Sequence, residues 1–212
     1  MKVLVIGATG GTGRPLVRQL LASGHEVTAW VRRPDAILGE VEGAGDGLRI
    51  VEGEARDAAS INRAVEGQDA VVVAFAPRSL RRDDLQETLY RSLIGAMRAH
   101  GVRRLVNLSA WGLDNDAAIP APWIFRHVIR PVFLRHVWAD KRRGEAIVKA
   151  SGLEWVNVQP GRLLNEPARG GVRASVDGRG LVPRMNREDL AAFMIEQINR
   201  DEWVRRSVVI GY

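Results

Sequence analysis

The stretch Lys2-Val3-Leu4-Val5-Ile6-Gly7-Ala8-Thr9-Gly10-Gly11-Thr12-Gly13 follows Met1 directly and decides how the rest of the chain is read. Val3 to Ile6 form a short, unbroken apolar run that Gly7 ends. Such a run predicts a strand buried on both faces, as in a parallel sheet. From Thr12 to Ala22, Leu16, Val17, Leu20 and Leu21 recur at helical spacing, and Ser23-Gly24 stops the helix. The glycines between strand and helix suit a phosphate cradle. Gly7 permits the tight turn, Gly10 removes a Cβ where a pyrophosphate would approach the backbone, and Gly13 lets the helix pack close to the sheet. The free N–H groups of the loop, from Thr9 through Gly11 and Thr12, and the helix dipole behind them favour an anion. A purely structural turn is the alternative, and the flanking strand and helix weigh against it.

Working outward, the same alternation repeats. Residues 26–31, 48–51, 70–75, 104–108, 155–159 and 207–210 read as further strands. Between them, Asp57 caps a helix carrying Ile61, Ala64 and Val65. Residues 83–100 place Leu85, Leu89, Leu93, Ile94 and Met97 on one face, and residues 140–150 and 188–199 are helical. Strand and helix alternating with short links predict an α/β doubly wound parallel sheet, a Rossmann fold. One domain over residues 1–212 is expected, with a helical insertion at about 114–140 and a small loop-derived substrate lobe.

Composition narrows the chemistry. The 212 residues are 46% hydrophobic and 26% charged, ordinary for a globular domain and excluding a disordered or fibrous chain. Cysteine is absent, which removes disulfides, thiolate catalysis and metal–thiolate sites. No cluster has metal-ligand spacing, so no metal is expected. No apolar run approaches the ~18 residues of a membrane span, and the opening strand is too short for a signal peptide, so a cytoplasmic location is expected.

The formal charge is +6. Most of the excess lies in residues 122–143, where six basic residues face Asp140 alone among Trp123, Phe125, Phe133, Trp138 and several aliphatics. That stretch reads in four ways: a lid over a flat anionic acceptor, an oligomer interface, a peripheral contact with an anionic membrane, or a packed lobe with solvated charges. No helix-turn-helix, zinc-finger or RNA-binding signature is present. With three lysines against 28 arginines, the basicity reads as a compositional habit, and no nucleic-acid partner is expected.

Residues after each strand extend the site. Arg32, helped by Arg33 and Arg14, stands where an acidic residue would select NAD, and an arginine there suits the 2′-phosphate of NADP. A solvated loop charge is the alternative. Glu54-Ala55 is placed to meet the adenine, Asp57 reads as a cap, and Phe75-Ala76-Pro77-Arg78 passes over the cofactor.

With Val3 to Gly13, residues 27–32, Gly67-Gln68-Asp69-Ala70-Val71-Val72-Val73, Asn107-Leu108-Ser109-Ala110, Ser151-Gly152-Leu153-Glu154-Trp155, Val176-Asp177-Gly178-Arg179-Gly180 and Arg187-Glu188-Asp189-Leu190-Ala191 in order, the chain resembles the atypical short-chain dehydrogenases/reductases. The nearest branch is the NAD(P)H-binding family of biliverdin reductase B (flavin reductase) and NmrA-like proteins. The resemblance implies a reductase that prefers NADP(H) over NAD(H) and passes hydride to a planar conjugated small molecule such as a flavin, quinone or tetrapyrrole. It implies that Gly7, Thr9, Gly10, Thr12 and Gly13 hold the pyrophosphate and Arg32 the 2′-phosphate. Phe75, Ala76 and Arg78 would line the adenosine side, Ser109 would lie beside the nicotinamide, and Pro160-Gly161-Arg162 would follow its carboxamide.

The chain also departs from the pattern. Lys141 fits the lysine of the Tyr-x-x-x-Lys proton relay, but Val137 stands at the tyrosine position, Arg162 replaces a histidine, and residues 121–137 are longer and more aromatic. Ser109 and Lys141 are the catalytic candidates. Their alternatives are a strand-end hydroxyl satisfied by backbone and a solvated charge. Trp111 and Arg162 are the substrate-binding candidates, against loop-anchoring packing for the first and an ion pair with Glu166 for the second. His25 and His100 read as helix-end residues, and the lack of a carboxylate partner at fixed spacing weighs against His127 and His136 as proton donors. A second functional class stays open: an NmrA-like sensor that binds NADP(H) without turnover. A monomer or homodimer suits either.

Overall fold

The computed structural model describes residues 1–38, 47–75, 84–113 and 135–212. The strands are β1 (Lys2–Ile6), β2 (Glu26–Val31), β3 (Leu48–Glu52), β4 (Ala70–Val73), β5 (Arg104–Leu108), β6 (Glu154–Pro160), β7 (Arg162–Leu164), β8 (Arg173–Ser175), β9 (Arg184–Asn186) and β10 (Arg206–Gly211). The helices are α1 (Gly13–Ala22), α2 (Asp35–Leu38), α3 (Ala58–Val65), α4 (Leu85–Ala99), α5 (Arg135–Lys149) and α6 (Arg187–Glu196).

The main sheet runs β3-β2-β1-β4-β5-β6-β10-β8, parallel except for β8, which pairs antiparallel with β10 at the edge. β1 sits between β2 and β4, so successive crossovers leave it in opposite directions and the strand ends open a crevice there. Burial on both sides explains the unbroken apolar strands. Val3, Val5, Val27, Ala29, Val72 and Val106 pack on the α1–α6 side. Leu4, Ile6, Trp30, Val71, Val73 and Leu105 pack on the side of α3, α4 and α5.

One row across that second face changes character. Ile6 is in register with Val73, Val73 with Asn107, Asn107 with Asn157, and Asn157 with Ser207. The row is apolar in β1 and β4 and polar in β5, β6 and β10. These polar side chains lie under α4 and α5, which pack on each other closely because Gly144 has no Cβ: one there would lie 2.7 Å from the Tyr90 ring.

Differences from the sequence reading are local. Among the described residues α5 covers Arg135–Lys149, so the last part of the expected helical insertion, residues 135–140, is continuous with the helix expected from residue 140. β4 ends at Val73 instead of residue 75, although the Ala74 N–H still reaches the Ile6 carbonyl at 2.8 Å. α6 spans Arg187–Glu196, three residues shorter at its end than read. α2, β7, β8 and β9 carry too few residues for any periodic signal, and β7 with β9 forms a separate two-stranded parallel sheet. The remainder of the insertion, including His127, lies outside the described residues.

Candidate active site

The glycine loop is held by its own backbone. Gly10 N–H donates to the Gly7 carbonyl at 2.9 Å, and Arg14 N–H to the Gly10 carbonyl at 3.0 Å. Gly7 has φ +87°, and a Cβ there would lie 2.7 Å from the Ala74 carbonyl oxygen at the exit of β4. A Cβ on Gly13 would lie 2.0 Å from the Gly7 carbonyl oxygen, so this glycine serves the closure of the loop on itself. Packing of the helix on the sheet, expected from the sequence, is not the contact that needs it. Gly10 is less constrained, with the Gly7 carbonyl oxygen at 3.1 Å.

Among the described residues, the amides of Gly11, Thr12 and Gly13 donate to no protein acceptor. Thr12 precedes α1 as its N-cap without a side-chain cap bond. Thr9 turns its carbonyl to the Arg14 guanidinium, Nε to O 3.1 Å, so Arg14 braces the loop. Three free amides at a helix start fit a pyrophosphate.

At the end of β2, Arg32 and Arg33 are exposed, and neither has an ion pair among the described residues. Glu54 is exposed and Ala55 buried beyond β3. Asp57 caps α3 by accepting from Ser60 N–H at 3.0 Å. That bond holds its carboxyl below the usual carboxylate range. Phe75 is half-buried beyond β4, whereas Ala76 and Arg78 lie outside the described residues.

Past β5 the chain stays paired to β6: Ser109 N–H donates to the Val158 carbonyl at 2.8 Å and Trp111 N–H to the Pro160 carbonyl at 3.0 Å. This extension carries Ser109 into the space beneath α5. Its hydroxyl donates to the Glu145 carboxylate, and both residues are buried. Lys141, one helical turn before Glu145, donates from Nζ to the Leu108 carbonyl at 3.3 Å. Burial pushes the Lys141 ammonium down to about 8, against the opposing pull of the Glu145 and Asp140 carboxylates. The structure thus brings Ser109 and Lys141 together at the end of one strand. Ser109 is not the backbone-satisfied hydroxyl of the alternative reading, and Lys141 is a half-buried lysine whose ammonium reaches a backbone carbonyl.

Other candidates are dispersed. Trp111 is buried against Leu181 and Val209. Its ring lies under Gly178, where a Cβ would be 2.6 Å away. Those contacts are the loop-anchoring packing named as its alternative. Gly161 packs beneath the Pro183 carbonyl. Pro160 lends its carbonyl to Trp111, and Arg162 is exposed with no ion pair to Glu166 among the described residues. His100 is the C-cap of α4, and His136 meets the neighbouring Arg135 side chain at 3.1 Å.

Two residues went unassigned in the sequence. Glu145 follows Lys141 at i+4, so any helix that delivers the lysine delivers the carboxylate too. Arg187 reaches from the start of α6 to Gly11 and donates from Nη1 to Asn165 Oδ1 at 2.5 Å. Behind the site a buried chain of hydrogen bonds runs from Tyr90 OH to Asn107 Oδ1, from Asn107 Nδ2 to Asn157 Oδ1 at 2.8 Å, and from Asn157 Nδ2 to Ser207 Oγ at 3.4 Å. Burial, with the Glu145 and Asp140 charges, raises the Tyr90 phenol above its ordinary range, so it stays a donor. Among the described residues no three His, Asp or Glu side chains cluster for a metal, and no helix is long and apolar enough to cross a membrane.

Comparison with known proteins agrees with this architecture. Residues 7–201 match the NAD(P)H-binding family. The chain is 30% identical over 216 residues to an uncharacterized sugar epimerase of Bacillus subtilis, covering 98% of this chain and 92% of that protein. It is 29% identical over 163 residues to the (4-alkanoyl-5-oxo-2,5-dihydrofuran-3-yl)methyl phosphate reductase of Streptomyces griseus; the match covers 77% of this chain but only 48% of that longer protein. In fold it superposes on the anaerobilin reductase ChuY of Escherichia coli O157:H7 with a TM-score of 0.82 at 20% identity, covering 100% of this chain and 97% of that one. With a phosphate-type glycine loop at the switch point of a parallel sheet and a match spanning nearly the whole chain, the protein belongs to the NAD(P)H-binding family of atypical short-chain dehydrogenases/reductases.

Proposed function

We propose that the protein is an NADPH-dependent reductase that passes hydride to a planar conjugated acceptor, a flavin, quinone or tetrapyrrole. The observation that carries this reading is the set of groups just past the carboxyl ends of β1, β2 and β5: the amides of Gly11 to Gly13 and the Arg32 guanidinium, none with a partner among the described residues, and Ser109 with Lys141, whose Nζ reaches the neighbouring Leu108 carbonyl. The loop amides suit the pyrophosphate. Arg32 and Arg33, with no carboxylate between them and β2, suit a 2′-phosphate and would disfavour nothing in NADPH. The nicotinamide, when bound, supplies the hydride.

The rest of the work belongs to the chain. Val137 cannot exchange a proton, so the tyrosine cycle of alcohol dehydrogenation is not available. Lys141, an ammonium pulled down to about 8, is the group with a proton to give at neutral pH. A reduced flavin or quinone can also draw its proton from water, which makes a buried acid dispensable. Ser109 positions the ring that delivers the hydride.

Fluorescence titration with NADPH and NADH, then loss of nicotinamide absorbance with FMN, a benzoquinone or biliverdin, tests the reading. Tight NADPH binding with acceptor-dependent oxidation is expected. Binding with no turnover on any acceptor would favour the NmrA-like sensor, which the loss of the tyrosine at Val137 equally suits.

A further inference from the structure

The Ser109–Glu145 contact has a chemical consequence that rests on placing Ser109 beside the nicotinamide. Glu145 is 3% exposed, yet its carboxylate is fully engaged: Ser109 Oγ donates to Oε2, Ser207 Oγ to Oε1 at 3.2 Å, and the Lys149 ammonium pairs with Oε1 at 3.0 Å. The carboxylate of an ion pair only accepts hydrogen bonds. The polarity of the surrounding network agrees. Tyr90, Asn107 and Asn157 each donate to the next member, Ser207 receives the last of these bonds, and the Ser207 hydroxyl in turn donates a hydrogen bond to Glu145. Glu145 is therefore where one donor chain and the single Ser109 hydroxyl converge. A hydroxyl has one proton. With that proton committed to the hydrogen bond with Glu145, Ser109 has only lone pairs left for a ligand.

We infer that Glu145 is a positioning residue that makes Ser109 an obligate hydrogen-bond acceptor, and that the group Ser109 takes is a donor, the carboxamide amino group of the nicotinamide. A carbonyl on the acceptor substrate is excluded as its partner, because no proton remains for it. The cost of reversing the bond is high in a buried site, where an unpaired carboxylate oxygen has no water to turn to.

Three oxidised cofactors test this without turnover: NADP⁺, its thionicotinamide analogue, which keeps the amino group, and its 3-acetylpyridine analogue, which replaces that group by methyl. Dissociation constants are measured for wild type, Ser109→Ala, Glu145→Gln and Glu145→Asp, each first shown to melt cooperatively. Wild type is expected to bind the first two alike and the acetyl analogue about five-fold more weakly, the effect of one neutral hydrogen bond. Ser109→Ala should bring the three together. Glu145→Gln offers a donor to Ser109 and frees the hydroxyl proton, so the preference should vanish or reverse. Glu145→Asp is one methylene shorter and keeps the charge opposite Lys149 while withdrawing it from Ser109, and should give the same narrowing if the glutamine variant does not fold. A merely structural Glu145 would weaken all three cofactors by one factor and leave the ratio intact, which overturns the proposal alone. Failure of wild type to bind any of the three overturns the cofactor reading and this inference with it.

Discussion

Gly11 and Arg187, 176 positions apart in the chain, share one space: a Cβ on Gly11 would lie 2.7 Å from Arg187 Nε and 3.1 Å from its Cδ. The glycine motif by itself gives no reason for glycine at position 11. The reason is a guanidinium delivered by α6, which packs on α1 through Arg18 and Gln19 to Glu188 at 2.5 and 2.9 Å.

The nature of the obstructing atoms separates two substitutions in the same loop. At Gly11 the neighbour is the end of a flexible side chain, so Gly11→Ala should cost less than about 1 kcal/mol and chiefly displace Arg187. At Gly13 the obstruction is the Gly7 carbonyl at 2.0 Å, which cannot rotate away. Gly13→Ala should lose at least about 2 kcal/mol and most cofactor affinity. Urea unfolding and NADPH titration of both variants check the contrast.

Arg32→Ala should weaken NADPH binding by roughly 10- to 100-fold, the range of a lost charge-assisted hydrogen bond, and leave NADH nearly unchanged. Arg33→Ala should show a smaller loss of the same kind. Equal affinity of wild type for the two cofactors, unaltered by either substitution, would refute the phosphate assignment.

Lys141 links stability to pH with a definite sign. Its folded value of about 8 lies below its ordinary 10.5. Between those values the unfolded chain holds a proton that the folded chain lacks, so stability from this group rises with pH through that window. Below about pH 8 the buried ammonium opposes folding in full. Lys141→Met should therefore raise the melting temperature at pH 7 and flatten the slope between pH 8 and 10.5. In turnover, protonation by Lys141 should make the rate fall as pH rises through about 8, a limb that the methionine variant should lack.

Tyr90→Phe removes the donor at the head of the buried network and leaves Asn107 Oδ1 without it. An unsatisfied buried acceptor costs about 1–3 kcal/mol. Asn107→Leu strands both the Tyr90 hydroxyl and Asn157 Oδ1 and should cost more than Tyr90→Phe. Guanidinium unfolding curves of the two variants should rank them in that order.

What the sequence by itself determined is the class of fold and the place of the phosphate loop. Val3 to Ile6 can be uniformly apolar only if both faces are covered, and seven parallel strands covered by helices meet that condition. Gly7 is legible because its turn, with φ +87°, is a local backbone demand, and Gly13 is legible as a position although the contact that needs it is the Gly7 carbonyl and not the sheet. Asp57 as a cap is legible for the same reason.

The tertiary structure alone decided the rest. Ser109, Glu145 and Ser207 come from the segment just past β5, from α5 and from β10, and no spacing along the chain encodes their contact. The polar turn of the Asn107–Asn157–Ser207 row exists only once strand register has been set by pairing. Arg187 at Gly11 and Trp111 beneath Gly178 likewise join segments far apart in sequence. Local constraints are written in neighbouring residues, whereas the partner of a buried polar group is selected by whatever the packing brings within hydrogen-bond reach.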